Sequence, residues 1–164
     1  MGEKEAIDRI RQIRRLDDDH NFTLACRDLS DIGTYARVTN SDFRLLKAYT
    51  PGPYTFILPA TREVPRRLQH PKRKSIGIRV PGNPVAQAVL EELGEPMMTS
   101  SLLLPDEDLP MTDPEIIRET IGARVDAVVA GGAGGLEPTT VVDLTGGAPA
   151  VARRGAGDPD AFEP

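Results

Sequence analysis

The stretch Thr50-Pro51-Gly52-Pro53-Tyr54-Thr55-Phe56-Ile57-Leu58 sets the reading of the whole chain. Two prolines fix φ on either side of a glycine, so residues 50–53 form a rigid turn, and the aromatic and β-branched run behind it predicts a strand. Ser75-Ile76-Gly77-Ile78-Arg79-Val80 is a second such run, ended by Pro81. Upstream, Phe22, Leu24 and Cys26 alternate with Thr23 and Ala25, which gives a third strand. Helices separate these strands. Ile7, Ile10, Ile13 and Leu16 recur at helical spacing, so a helix is expected over about residues 4–16. Arg27-Asp28-Leu29-Ser30-Asp31 starts a short helix toward Tyr35, and Ser41-Asp42 starts another that offers Phe43, Leu45 and Leu46 to the core. Pro84 to Leu93 reads as a helix with Val85, Val89 and Leu93 on one side and Gly94 as its stop.

Strands cluster in the later part of the chain. Met97 to Leu104 is an apolar run long enough for a buried strand or a hydrophobic loop. Thr112 and Glu115 have the spacing of a capping box, with Pro114 in the first turn of a helix that runs to Ile121. Val125–Val129, Thr139–Leu144 and Ala150–Arg153 read as short strands. The Gly131–Gly135 segment between them lacks the Gly-Lys-Ser/Thr ending of a phosphate loop and is read as a connector. The fold class is therefore α/β, a mixed parallel and antiparallel sheet flanked by helices, with one domain over residues 1–154. Residues 155–164 are rich in Gly, Asp and Pro, and a flexible C-terminal tail is expected there.

Composition narrows the function. Among 164 residues there is no tryptophan, with four phenylalanines and three tyrosines, so aliphatic side chains are expected to fill the core and a base-stacking platform is disfavoured. Cys26 is the single cysteine and there are two histidines, which leaves no disulfide framework and no zinc ligand set. The first 15 residues lack the apolar core of a signal peptide and no later run is long enough to span a bilayer, so a cytoplasmic protein is expected. Charge is unevenly placed. Residues 1–82 carry 16 Lys/Arg against 10 Asp/Glu, net +6, while residues 83–164 carry 4 against 15, net −11. A polyanion such as ATP or RNA would be drawn to the first half, although a solvated charged face has the same composition.

Four motifs in register carry a resemblance. Residues 50–58 quoted above, Ile76-Gly77-Ile78-Arg79-Val80-Pro81, Thr99-Ser100-Ser101-Leu102-Leu103-Leu104-Pro105 and Pro138-Thr139-Thr140-Val141-Val142-Asp143-Leu144 occur in the order and spacing of the YrdC/threonylcarbamoyl-AMP synthase family. The run from His20 to Leu24, with Cys26-Arg27-Asp28-Leu29, resembles its YciO branch. The resemblance implies a twisted sheet around a basic concave cavity that binds ATP and RNA. In synthase members it implies the joining of L-threonine, bicarbonate and ATP into threonylcarbamoyl-AMP and pyrophosphate for tRNA modification. Mg²⁺ on the phosphates is implied with it. Such a nucleotidyl transfer needs no covalent nucleophile: cations, hydroxyls and backbone N–H groups hold the reactants in line and neutralise charge on phosphate.

The resemblance also assigns residues. Arg14 stands where the family's Lys-x-Arg motif has its lysine and would contact ATP phosphates, though a cation there also suits a helix C-terminus. Ser101 matches a serine whose hydroxyl would bind phosphate, and a strand-end serine satisfied by backbone is the alternative. Arg14 and Ser101 are the catalytic candidates. Thr55, Arg79, Thr139 and Arg153 complete the nucleotide and substrate contacts, with Thr140 taken as structural. Arg79, inside an apolar strand, is costly unless it meets an anion or a buried ion pair, and Arg79 and Arg153 are expected to converge on one bound anion. Arg66, Arg67, Lys72, Arg73 and Lys74, near Arg62, have few acids beside them and are read as an RNA contact or a solvated loop.

Departures from the family pattern point the other way. Leu16, Asn21, Asn83 and Leu103 replace the second cation of Lys-x-Arg, a proline, a histidine and an asparagine. The family's first strands, with a Pro-Thr-Asp/Glu-Thr segment that positions threonine, would precede residue 4, where only Met1-Gly2-Glu3 stands, so the domain is expected to be N-terminally truncated and its catalysis impaired. A noncatalytic module binding double-stranded RNA or tRNA is the alternative to a synthase.

Overall fold

Residues 2–17 and 20–162 are described by this computed structural model. Along them run α1 (Lys4–Arg14), β1 (Thr23–Ala25), α2 (Leu29–Tyr35), α3 (Asn40–Tyr49), β2 (Tyr54–Pro59), β3 (Ser75–Arg79), α4 (Pro84–Leu93), β4 (Met97–Thr99), α5 (Pro114–Ile121), β5 (Thr140–Asp143) and β6 (Ala150–Arg153). Four helix starts have a side-chain cap. Asp28 and Asn83 each accept from two backbone N–H groups at α2 and α4. At α3 the cap is Thr39, which exchanges a full capping box with Asp42, so this helix begins ahead of the expected Ser41-Asp42. At α5 the cap is Asp113, whose carboxylate accepts from Glu115 and Ile116 N–H, in place of the expected Thr112. Carboxylate beats hydroxyl because it meets both the orphan donors and the positive end of the helix.

Contacts divide the chain into two compact units, one of Met1–Gly2, Asn21–Ser100 and Pro138–Pro164, the other of Glu3–His20 and Ser101–Glu137. The first holds a six-stranded mixed sheet in the order β4-β1-β3-β2-β5-β6. β1–β3 and β2–β5 are parallel, and the β1–β4, β2–β3 and β5–β6 pairs are antiparallel. Register carries two contrasting rows across it. Met98, Leu24, Ile78, Phe56, Val142 and Val151 are successive partners, and the four middle ones are fully buried. The next row is Thr99, Thr23, Gly77, Ile57, Asp143 and Ala150, which period-two alternation puts on the opposite face.

An aromatic cluster closes the apolar face. Tyr49 of α3, Tyr54 and Phe56 of β2, and Phe162 meet with centroids 4.7–6.1 Å apart, so a protein with few rings concentrates four of them in one place. The expectation of a purely aliphatic interior is corrected accordingly. Ile32, Leu46 and Leu90 complete the burial from α2, α3 and α4. Two expected core positions lie elsewhere: Phe43 is 47% and Leu93 53% exposed. Leu90 replaces Leu93 because the caps fix the helix phase and the turn before Gly94 already faces outward.

Phe162 also changes the account of the C-terminus. The composition predicts a fraying tail from residue 155, yet Phe162 is only 6% exposed and Gly157 is buried. Thr140, fully buried, donates its hydroxyl hydrogen to Gly157 O and accepts from Gly155 N–H at 3.0 Å, while Ala156 N–H bonds Pro138 O. Glycine is required at both places, since a Cβ on Gly157 would lie 2.3 Å from the Tyr54 ring and one on Gly155 2.2 Å from Pro138 O. The tail is therefore packed against the sheet as far as it is described.

In the second unit, α1 and α5 contribute Ile7, Ile13 and Ile121 to the interior. Arg9 donates to Asp126 at 2.6 Å. Two expected strands are shorter or absent here: regular structure in the 97–104 run ends at Thr99, and residues 125–129 form no strand, with Val129 61% exposed. β-Branched residues favour strands only where a neighbouring ladder receives them, and no strand pairs with this segment.

Candidate functional site

Gly77 sets the geometry of the open face of the sheet. A Cβ placed there would lie 3.3 Å from both Thr23 Oγ1 and Thr55 Cγ2, so the glycine keeps the floor low between two threonines. Arg79, two residues on, shares that face of β3. Thr55 is the register partner of Val141, which is in turn the partner of Arg153, so Arg153 and Thr55 also belong to this side of the sheet. A bulge between Val141 and Val142 resets the β5–β6 ladder and keeps Arg153 on that face. Arg79 and Arg153 thus do not project to opposite sides.

Hydrogen bonds tie three of the expected residues together. Thr55 Oγ1 and Thr139 Oγ1 are 2.8 Å apart, and the Arg153 guanidinium donates to Thr139 O at 2.9 Å. Thr140, one residue later, points into the core and holds the C-terminal segment, which is the structural role expected of it.

Arg79 differs from the rest of the face. Its Nε is fully buried, and among the described residues it has no hydrogen-bond partner and no ion pair. Burial pulls its pKa below the usual arginine range, yet a guanidinium keeps its proton at neutral pH. The side chain as a whole is half-buried, so the cost is that of one buried donor left unsatisfied, about 1–3 kcal/mol. An anion over this face would remove that penalty.

The second unit presents its own cations. Arg14, at the end of α1, donates from Nε to Leu103 O at 3.1 Å, which brings it beside the segment that carries Ser101 two residues earlier. Ser101 is exposed. Burial lowers the Arg14 pKa as it does that of Arg79. Sequence reasoning gave His20 no role in this group, but desolvation first, then Arg14 and Arg11, hold its imidazole below the usual histidine range. No local signal announced this, because acids and not cations immediately precede His20 in the sequence, with Arg14 and Arg11 six and nine residues earlier.

The basic cluster lies on the loop before β3. Arg66, Arg67, Lys72, Arg73 and Lys74 are all exposed, and only Arg73 has an acidic partner among the described residues, Asp143 at 3.5 Å. His70 shapes this loop by accepting from the backbone N–H of Lys72 and Arg73 at its Nδ1. Among the described residues no group of three or more His, Cys, Asp or Glu side chains could hold a metal ion, and no helix is long and apolar enough to cross a membrane.

Known proteins match this chain over nearly all its length. A family model described as Sua5_yciO_yrdC, telomere recombination, matches residues 1–155. The protein of Escherichia coli (strain K12) named "Uncharacterized protein YciO" is 55% identical over 162 residues, 99% of this chain and 79% of that one. The crystal structure of E. coli YciO superposes with a TM-score of 0.91, covering 98% of this chain and 78% of that chain. A threonylcarbamoyl-AMP synthase of Halorhodospira halophila (strain DSM 244 / SL1) is 36% identical over 104 residues, 63% of this chain and 53% of its own. P. abyssi Sua5 complexed with L-threonine shares the fold at a TM-score of 0.87 and 21% identity, over 98% of this chain and 47% of that one.

Proposed function

Because the chain belongs to the Sua5/YciO/YrdC family, we propose that it binds ATP and L-threonine and acts as a threonylcarbamoyl-AMP synthase-like nucleotidyltransferase in the cytoplasm. The single observation behind this reading is the buried Arg79 Nε without a partner on a face that also carries Thr55, Thr139 and Arg153. A phosphate group is the natural counterpart of a guanidinium, since its oxygens accept two parallel N–H bonds. A relative crystallised with L-threonine and relatives named threonylcarbamoyl-AMP synthase supply the substrate class.

In this reading the threonine ammonium gives up a proton, and the free amine then forms a bond to the carbon of bicarbonate as water leaves, giving the carbamate. A carbamate oxygen then forms a bond to the α-phosphorus while the bond to the leaving pyrophosphate breaks. Arg79 and Arg153 neutralise the charge growing on the phosphoryl oxygens, and the Thr55–Thr139 hydroxyl pair supplies donors that need no reorganisation. Arg14 and Ser101, in the second unit, offer a cation and a hydroxyl to the same class of ligand. With no metal-binding cluster among the described residues, Mg²⁺ would arrive on the nucleotide, held by phosphate oxygens and water.

Given threonine, bicarbonate and MgATP, the protein should release pyrophosphate, and Arg79→Met should weaken ATP binding about 10- to 100-fold, the loss of one charged hydrogen-bonding group. Absence of pyrophosphate above background, with ATP binding indifferent to Arg79→Met, would remove the proposal.

A second reading, a noncatalytic module for double-stranded RNA or tRNA, is favoured by Arg66, Arg67, Lys72 and Lys74, exposed and without acidic partners among the described residues. Its affinity should fall steeply with salt, and each of Lys72→Ala and Lys74→Ala should reduce the slope by about 1. A flat salt response speaks against it.

A further inference from the structure

β1 and β3 are adjacent and parallel, but the chain leaves them in opposite directions. From β1 it passes through α2 and α3 to β2, beyond β3; from β3 it passes through α4 to β4, beyond β1. Each connection thus starts at the carboxyl end of its own strand and passes across the other, and a crevice with apolar walls and a few polar groups is where small molecules bind in proteins of unrelated function. This molecule has such a crevice. It is an open groove of about 310 Å³ between the end of β1, at Arg27 and Leu29, the end of β3, at Val80 and Gly82, and Pro51 of the proline turn.

The walls are held in place. Gln87 of α4 donates from Nε2 to Pro81 O at 2.7 Å and to Arg27 O at 3.2 Å, so one amide ties both strand ends together and keeps its own Oε1 as an acceptor. Leu29, Pro51 and Val80 give an apolar lining. Asp28, on the rim, is engaged: Oδ1 caps α2 through Ser30 and Asp31 N–H, and Oδ2 lies 3.5 Å from Arg27 Nε. The two Nη groups of Arg27 have no hydrogen-bond partner among the described residues, and the side chain is half exposed. A forked donor beside an apolar lining of this size matches a planar acid with a hydrocarbon body.

We propose that the crevice at the carboxyl ends of β1 and β3 is a second ligand site, which takes a small organic carboxylate with an apolar body, the carboxylate on Arg27 and the body on Leu29, Pro51 and Val80. The site is independent of the nucleotide reading: Val80 belongs to the buried side of β3, and none of the residues assigned to ATP lines it.

Amide-resolved NMR titration with phenylacetate tests this, with 2-phenylethanol as the uncharged analogue and inorganic phosphate as an anion without an apolar body. Saturable shifts at Arg27, Leu29, Gly82 and Gln87 are expected for phenylacetate. Arg27→Ala should weaken that binding about tenfold or more, as loss of a charge-assisted pair does, and Arg27→Lys by less, while Arg62→Ala leaves it unchanged. Three results would each overturn the proposal: no saturation in the millimolar range, shifts centred elsewhere, or equal binding of 2-phenylethanol or phosphate by the wild-type protein.

Discussion

The two faces of the sheet are made from the same strands and differ in almost every physical respect. On one, Leu24, Ile78, Phe56 and Val142 form an unbroken buried row, with Tyr49, Tyr54 and Phe162 clustered with the Phe56 ring. On the other, Thr23, Gly77, Thr55, Arg79 and Arg153 leave a floor of hydroxyls and guanidinium groups with one cation unmet. Alternation along three to six residues per strand separates a surface that stabilises from a surface that binds. Stability and binding should therefore respond to different substitutions.

Phe56→Ala should break the first face most severely, losing about 3–5 kcal/mol in urea unfolding, because the cavity it leaves is lined by packed rings. Thr140→Val should be next, at about 1–3 kcal/mol, since it strands Gly157 O and Gly155 N–H in the interior. Arg79→Met, on the opposite face, should be neutral or stabilising by about 1 kcal/mol in the same assay while ATP binding weakens about 10- to 100-fold. A destabilised Arg79→Met would mean that the arginine belongs to the architecture and the contrast between faces fails.

The smallest expected effect concerns His20. Its folded-state pKa is depressed by burial and by Arg14 and Arg11, so the unfolded chain binds the proton more tightly. Stability should be complete above the ordinary histidine pKa of about 6.5 and decline as pH falls through that value toward the lower folded one. Unfolding midpoints between pH 7 and 5, compared with His20→Gln, check this; parallel curves for the two proteins would refute it.

What the sequence reveals follows the same division. Strand positions β2 and β3 were legible because proline and a β-branched run act locally, and α4 because Pro84 and Gly94 mark its two ends, while the cap on Asn83 shows only in the structure. Arg79 was legible as an oddity, a charge within an apolar strand. The Val125–Val129 run misleads because strand propensity needs a partner that no local signal announces. Phe162 was hidden for a related reason. A single ring in a polar tail reads as exposed until the fold shows Tyr49, Tyr54 and Phe56 waiting for it, and the glycines at 155 and 157 were the available hint that the segment passes close to something. The crevice at β1 and β3 depended on strand order, which connection lengths alone do not decide.

One practical consequence attaches to the lone guanidinium in β3. A folded state that carries an unmet cation gains stability from any anion it can capture, in proportion to the logarithm of that anion's concentration over its dissociation constant. Buffer composition then becomes an experimental variable: inorganic phosphate or sulfate would raise the melting temperature and blunt the response to weak nucleotides, whereas a chloride medium would leave the full shift to be seen.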